Sequence, residues 1–276
     1  MRVASGSTIG ALVRSCHPAP AVAVTVLAAL LAAGAGADVD RTVVVVAAVL
    51  AGQLSIGWSN DLVDAARDRR VGRTDKPAAT GELPVATLRT ATGVALVLAV
   101  ALPLVLGVSA GPGAATTGLL VVAGGWAYNL GLKATVLSWL PYAVAFGALP
   151  AFVLLADGLS VPGWMPVAGA LLGVGAHVLN VVPDLDDDAA TGVRGMPHRL
   201  GARRAVGAGA ALLVLATVVM ALGAPVRGAT LALLAVVVGA LALVAVLRGG
   251  RTAFRAAMAI ALVDVALLVL AQGAGA

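Results

Sequence analysis

Two acidic stretches lie 120 residues apart and share one skeleton. Asn60, Asp64, Asp68, Gly72, Pro77 and Gly81 are answered, each 120 positions later, by Asn180, Asp184, Asp188, Gly192, Pro197 and Gly201. The common core is N-x3-D-x3-D. It sets an amide and two carboxylates on one helical stripe, because residues four apart are neighbours on a helix. Asp61 reinforces the first stripe, and Asp186 and Asp187 reinforce the second. A solvated helix cap would account for one or two of these acids. The remainder repel one another, and a counter-cation relieves that cost. Two such stripes facing each other form a cage of hard oxygen ligands suited to Mg²⁺, which binds through a few carboxylates plus substrate phosphates.

The chain that must position these residues is strongly apolar. Hydrophobic residues make up 61% of its 276 residues, charged ones 11%, and mean hydropathy is +1.03. A soluble domain carries about a quarter charged residues. A bilayer span needs about 20 apolar residues, and nine runs approach that length: approximately 20–37, 41–59, 84–107, 112–130, 136–156, 164–183, 204–222, 228–247 and 252–272. The expectation is a single all-α, polytopic membrane domain of nine spans with no appended soluble domain. The 120-residue offset predicts two tandem four-helix repeats, approximately 20–135 and 136–250, completed by a ninth helix at 252–272. Each motif is then expected to begin in the last turn of its span and to run into a long loop. Four spans is an even number, so both loops emerge at the same end of the bundle.

Charge supplies the orientation. Sixteen of the eighteen Lys and Arg residues fall in the N-terminus or after the second, fourth, sixth and eighth runs; only Arg41 and Arg227 fall on the other side. The positive-inside rule therefore predicts a multi-pass protein of the cell's inner (plasma) membrane with its N-terminus and both acidic loops cytoplasmic. The net charge of +5 and pI near 10.3 suit anionic lipid and anionic substrates rather than nucleic acid. One cysteine, Cys16, excludes an intrachain disulfide and a Cys-rich metal site. Ala35-Gly36-Ala37 imitates a signal-cleavage site, but the flank preceding the run is long for an n-region, so the run is read as a retained span.

The string Asn60-Asp61-Leu62-Val63-Asp64-Ala65-Ala66-Arg67-Asp68 resembles the NDxxDxxxD signature of the UbiA superfamily of intramembrane prenyltransferases. Gly72-Arg73-Thr74-Asp75-Lys76-Pro77 with Thr80-Gly81 looks like that signature's continuation. Asp184-Leu185-Asp186-Asp187-Asp188, Gly192 and Arg199-Leu200-Gly201 resemble the second aspartate motif. With nine expected helices, the resemblance covers essentially the whole chain. It implies a polyprenyl diphosphate donor whose diphosphate is bridged by Mg²⁺ to both motifs, an allylic carbocation, and attack by a lipophilic acceptor. Carried onto this sequence, it assigns metal contacts to Asn60, Asp64, Asp68, Asp184 and Asp188, and the repeat adds Asn180. Asp61 either ligates metal or holds a basic neighbour. Arg73, Lys76, Lys133 and Arg199 meet the diphosphate, though each also serves as a positive-inside anchor. Lys133 is foremost because it follows Tyr128-Asn129 at the end of the fourth run. Its context departs from the family's commoner Tyr-Pro-x-x-Lys-Arg, which leaves the acceptor subtype open.

Seven of the nine aromatics, from Trp126 to Trp164, crowd into the fourth to sixth runs. They serve interfacial and packing roles or line the cavity and stabilise a passing carbocation. That second role keeps a rival in view: a UbiA-type terpene cyclase, in which the donor's own double bonds capture the cation without an acceptor. A phosphoribosyl donor would want more polar neighbours, and a transporter would place its charges at midplane. Asp264, inside the last run, is costly there and is read as structurally paired. His177 is read as a core histidine, and His17 and His198 as interfacial.

Overall fold

Within lipid, backbone amides have no water to bond, so runs of Ala, Val and Leu take the form that closes every bond within the segment. The structure, a computed structural model, describes residues 7–190, 192–224, 229–248 and 250–273, and among these no strand occurs. The helices are α1 (Thr8–Ser15), α2 (Pro18–Gly34), α3 (Val39–Arg70), α4 (Pro77–Thr80), α5 (Val85–Ala110), α6 (Pro112–Asn129), α7 (Leu140–Ala156), α8 (Trp164–Val181), α9 (Leu185–Ala190), α10 (Met196–Leu200), α11 (Ala202–Gly223), α12 (Ala229–Arg248) and α13 (Gly250–Gly273). Each expected apolar run contains one of them. Full spanning length is rarer than the nine expected. Among the described residues α3, α5, α8, α11 and α13 are long and apolar enough to cross a membrane, with a sixth if α1 and α2, bent by 70°, count together.

The helices close a ring. Passing from α2 through α3, α5, α6, α7, α8, α11 and α13, each packs on the next, and α13 returns to α2. α12 lies against α11 and α13. The core runs along the inner faces of α2, α7, α8, α11 and α13, with Leu31, Phe152, Met165, Leu179, Leu213 and Ile260 fully buried.

The two motif segments fold differently. The first does not enter a loop after residue 59. α3 continues as one helix of 32 residues to Arg70, about 48 Å long, so its final turns outrun a hydrocarbon core of about 30 Å. Arg67, Arg69 and Arg70 in its last turn favour that extension, because cations offset the partial negative charge of a helix C-terminus. The second segment is broken by Pro183. The ring removes an amide and clashes with the carbonyl four residues back, so α8 stops at Val181, a 3₁₀ turn covers Val182–Asp184, and α9 restarts at Leu185.

Both segments nevertheless end in the same cap. The amide of Arg73 donates to the Asp68 carbonyl at 3.0 Å, and that of Val193 to the Asp188 carbonyl at 2.9 Å. The intervening Gly72 and Gly192 take φ of 75° and 86°. This is the Schellman arrangement, which needs a left-handed residue after the helix. At the opposite end of the bundle, Arg41 donates to the Ala156 carbonyl at 2.9 Å. That places it well away from the motifs, as its charge class requires; Arg227 lies outside the described residues.

Candidate active site

The three motif acids of α3 are buried: Asp61, Asp64 and Asp68 retain 1%, 6% and 4% of their surface. Ionised groups at that depth need partners, and each has one. Lys76 donates to Asp61 Oδ1 at 2.6 Å. Lys133 donates to Asp64 Oδ2 at 2.6 Å and faces Asn60 Oδ1 at 3.3 Å. Arg67 spans the other two, with Nη2 at 3.0 Å from Asp64 and Nε at 3.6 Å from Asp68. Three carboxylates are thus set against three cations. Arg67 passed unremarked in the sequence except as an anchor, although its i,i+3 spacing from Asp64 is the signal that finds it.

His17 was also read differently. It is not a bystander at the interface. Its Nε2 lies 3.3 Å from Asp61 Oδ1 and 3.1 Å from Lys76 Nζ. It occupies the bend between α1 and α2 with φ of 55°, the one non-glycine residue in the left-handed region among those described. No periodicity in the sequence marks this residue, because the contact depends on how α1 folds back on α3. Trp58 of α3 fastens that fold by donating its indole N–H to the Leu12 carbonyl at 2.8 Å.

Lys133 is positioned by a buried polar seam. It stands on a 3₁₀ turn, Leu132–Ala134, directly after α6. Asn129, at the end of α6, donates to the Ile56 carbonyl and to Ser59 Oγ, both at 2.8 Å. This ties the turn to α3 just before the motif. Farther along, Ser138 Oγ accepts from the Met196 amide at 3.0 Å and pairs with His177 Nε2 at 3.1 Å. The segment bearing Lys133 is therefore clamped between both motif regions.

The second stripe is looser. Asn180 and Asp184 are exposed and Asp188 is half-buried; the side chains of Asp186 and Asp187 lie outside the described residues. His198 has a side chain only 8% exposed, with its Nε2 3.7 Å from Asp188 Oδ2. Burial pushes the Asp188 carboxyl above its ordinary range and Asp184 adds to the rise, while His198, Arg67 and Lys133 oppose it. Arg73 is held above its ordinary pKa first by two hydrogen bonds to Asp75, with Asp68 and Asp184 contributing. These couplings cross between the segments, so the two motifs share one end of the bundle. Arg199, on α10, is exposed and makes no ion pair among the described residues.

Below this charged end is a cavity of about 300 Å³. Asn60 and Asn180, the leading residues of the two motifs, both open onto it, as do His17, Tyr128, Tyr142 and Phe146. Tyr128 meets Tyr142 edge-on at 5.2 Å, and Tyr142 stacks on His177 at 4.4 Å and on Phe146 at 6.2 Å. His177 itself is 1% exposed, a core histidine behind the aromatic wall. Among the described residues, no three His, Cys, Asp or Glu side chains converge tightly enough to hold a metal unaided. The donors present are all oxygens, and one of them, Asp61 Oδ2, is buried without a hydrogen-bond partner. That set suits a hard cation completed by substrate oxygens, which is how Mg²⁺ is usually bound. Asp264, remote from the cavity, accepts from the Thr217 hydroxyl between α11 and α13.

A helical membrane bundle with paired Asn/Asp segments above an apolar, aromatic-walled cavity defines the class. Residues 21–270 match the UbiA prenyltransferase family, and the chain belongs to it. No curated protein matches the chain at the level of sequence. Among solved structures, a UbiA homologue from Archaeoglobus fulgidus bound to GPP and Mg²⁺ is 18% identical, with a TM-score of 0.68 over 94% of this chain and 99% of that one. An apo UbiA homologue from Aeropyrum pernix K1 is 18% identical, with a TM-score of 0.70 over 91% and 97%. Digeranylgeranylglyceryl phosphate synthase is 15% identical, with a TM-score of 0.69 over 97% and 98%. At these identities the likeness establishes a shared fold.

Proposed function

We propose that this protein transfers a prenyl group from an isoprenoid diphosphate to a lipophilic acceptor through an allylic carbocation, with Mg²⁺ as cofactor. The observation that carries the reading is one cavity onto which Asn60 and Asn180, the leading residues of both acidic motifs, open together with the aromatic rings of Tyr128, Tyr142 and Phe146. The family and the solved homologues with GPP or DMAPP and Mg²⁺ point the same way. Asn60, Asp64 and Asp68, together with Asn180, Asp184 and Asp188, would hold the metal. Bound there, Mg²⁺ supplies neutralisation of the departing diphosphate. Lys133, already aimed at Asp64, turns to the diphosphate oxygens, as does Lys76; Asp61 is the anchor that presents Lys76. Arg73 and Arg199, both exposed, would draw in the anionic head. Fixed charges of this kind stabilise a leaving anion without reorganisation. Tyr128 and Tyr142 exclude water and offer π faces to the cation.

The same aromatic wall favours a second reading, terpene cyclisation without an acceptor. We further infer that the domain consists of two tandem four-helix units and a ninth helix, supported by the matching caps at Gly72 and Gly192. The motif end is assigned to the cytoplasmic side of the plasma membrane, a placement that the position of Arg41 supports. Diphosphate release from protein in lipid nanodiscs, given C10, C15 and C20 prenyl diphosphates with Mg²⁺, tests the reaction. Release that depends on an added acceptor extract and is lost in Asp64→Asn supports transfer. Acceptor-free release of a cyclic hydrocarbon or alcohol replaces it with cyclisation.

A further inference from the structure

A second void lies deeper in the bundle. It measures about 70 Å³ and is lined by apolar residues of α2, α7, α8 and α13, among them Leu31, Leu172, Ala261 and Leu268. Its volume exceeds the roughly 30 Å³ that a water molecule takes up in the liquid, yet an apolar void of this kind stays dry. Three residues line both this void and the main cavity: Phe146, Leu149 and Ala176. They form the partition between the two spaces.

Phe146 is the removable part of that partition. Leu149 is 2% exposed and belongs to the core, and Ala176 has little bulk. The Phe146 ring is held in place from two sides. Above it, Tyr142 stacks with an interplanar angle of 10°. Behind it, α8 presents Gly169 and Gly173, where an added methyl would overlap the Phe146 carbonyl or the first carbons of its side chain. The glycines let α7 and α8 approach until the backbone of Phe146 has no slack. The void then continues along α8 from Ala176 to Gly169, seven residues or about 10 Å of helix. A chain entering from the motif end meets the Phe146 ring before it reaches that space.

We infer that Phe146 is the floor of the prenyl pocket and limits donor length, and that the void behind it accepts additional isoprene carbons once the ring is removed. This rests on the isoprenoid-diphosphate reading of the cavity above. Phe146 acts here as a specificity-determining residue, and the space it guards takes hydrocarbon only, since its lining offers no charged group.

The test compares kcat/KM for C10, C15 and C20 diphosphates in nanodisc-held wild type, Phe146→Ala and Phe146→Leu, with Asp64→Asn as the blank. Phe146→Ala is expected to raise the C20-to-C10 ratio about tenfold to a hundredfold, the range that pocket complementarity supplies for a few methylenes. Phe146→Leu, which keeps most of the packing should the alanine variant not fold, moves it the same way by less. Adding Ala261→Leu fills the void from α13 and returns the ratio toward wild type. An unchanged ratio in active Phe146 variants overturns the floor while leaving the reaction intact. Absence of both turnover of every prenyl diphosphate and binding of its non-reactive thiolo analogue in wild type overturns the reaction itself, and the floor with it.

Discussion

The two halves of the site carry the same six residues at the same spacing and solve opposite problems. On α3 the motif stays on one unbroken helix, its acids are buried, and Lys76, Lys133 and Arg67 answer them. Between α8 and α9 Pro183 breaks the stripe, and Asn180, at the cavity, and Asp184 are exposed. The first half is an electrostatically closed unit, rigid because each charge is fixed by an opposite one. The second is more open, with Asp184 exposed and Asp188 half-buried. One sequence pattern therefore yields a preorganised wall and an adjustable one; Pro183 breaks the second helix, and Asp187 stands where the first segment has the pairing Arg67.

The sharpest way to break this comparison is to remove one acid from each half. Asp64→Asn should lower turnover by about 10³-fold, the upper range for a lost electrostatic contact in an active site. It should also destabilise the fold by about 3 kcal/mol, because Lys133 and Arg67 lose a buried partner. Asp184→Asn should cost activity of the same order yet leave the melting temperature nearly unmoved. Equal destabilisation of the two variants would erase the distinction drawn here. Activity assays and thermal unfolding in nanodiscs read both quantities.

Next in size is Pro183→Ala. Restoring the missing amide relieves a break that costs a helix interior about 3 kcal/mol, so α8 should continue and the melting temperature rise. Asp184 and Asp188 would then leave their present positions, and turnover should fall about tenfold or more, within the effect of misplacing a positioned group. A variant that gains stability with full activity would show that the break has no role.

A smaller effect tests likeness instead of difference. Gly72→Ala and Gly192→Ala each force a Cβ into the left-handed region and should each cost about 1 kcal/mol. Their losses should match within error in denaturation curves, because the two caps share one hydrogen-bond pattern. The smallest effect belongs to Asp75, whose carboxyl is held down to about 2 by the two Arg73 hydrogen bonds. Its side chain is 58% exposed, so Asp75→Asn should cost between zero and about 1 kcal/mol. That contribution is present above the unfolded carboxylate pKa of about 3.9 and disappears as pH falls toward 2, so wild type and variant should converge in acid melts.

Much of this was legible in the chain alone. The 120-residue register announced two related segments, and the hydropathy runs announced helices, because lipid leaves the backbone no other solution for short apolar segments. Lys133 reaches Asn60 and Asp64, as opposite charge and polarity favour. Full spanning length and the course of the motifs were less legible: α3 runs on to Arg70 because helix propensity and its terminal arginines outlast the apolar signal. His17 was hidden entirely, since a 70° bend between α1 and α2 brings it to Asp61. Asn129 and Ser138 look like ordinary polar residues until the seam they build appears.

What the sequence by itself determined is the chemistry: hard oxygens and cations at one end of an apolar chain, fixed by residue type and by helical periodicity that any local segment obeys. What only the tertiary structure decided is which cation answers which acid, where the cavity ends, and that Phe146 stands between two voids. Those depend on distances between α3, α7, α8 and α13, helices far apart in the chain. No local pattern encodes such distances, because they are set by how whole faces pack.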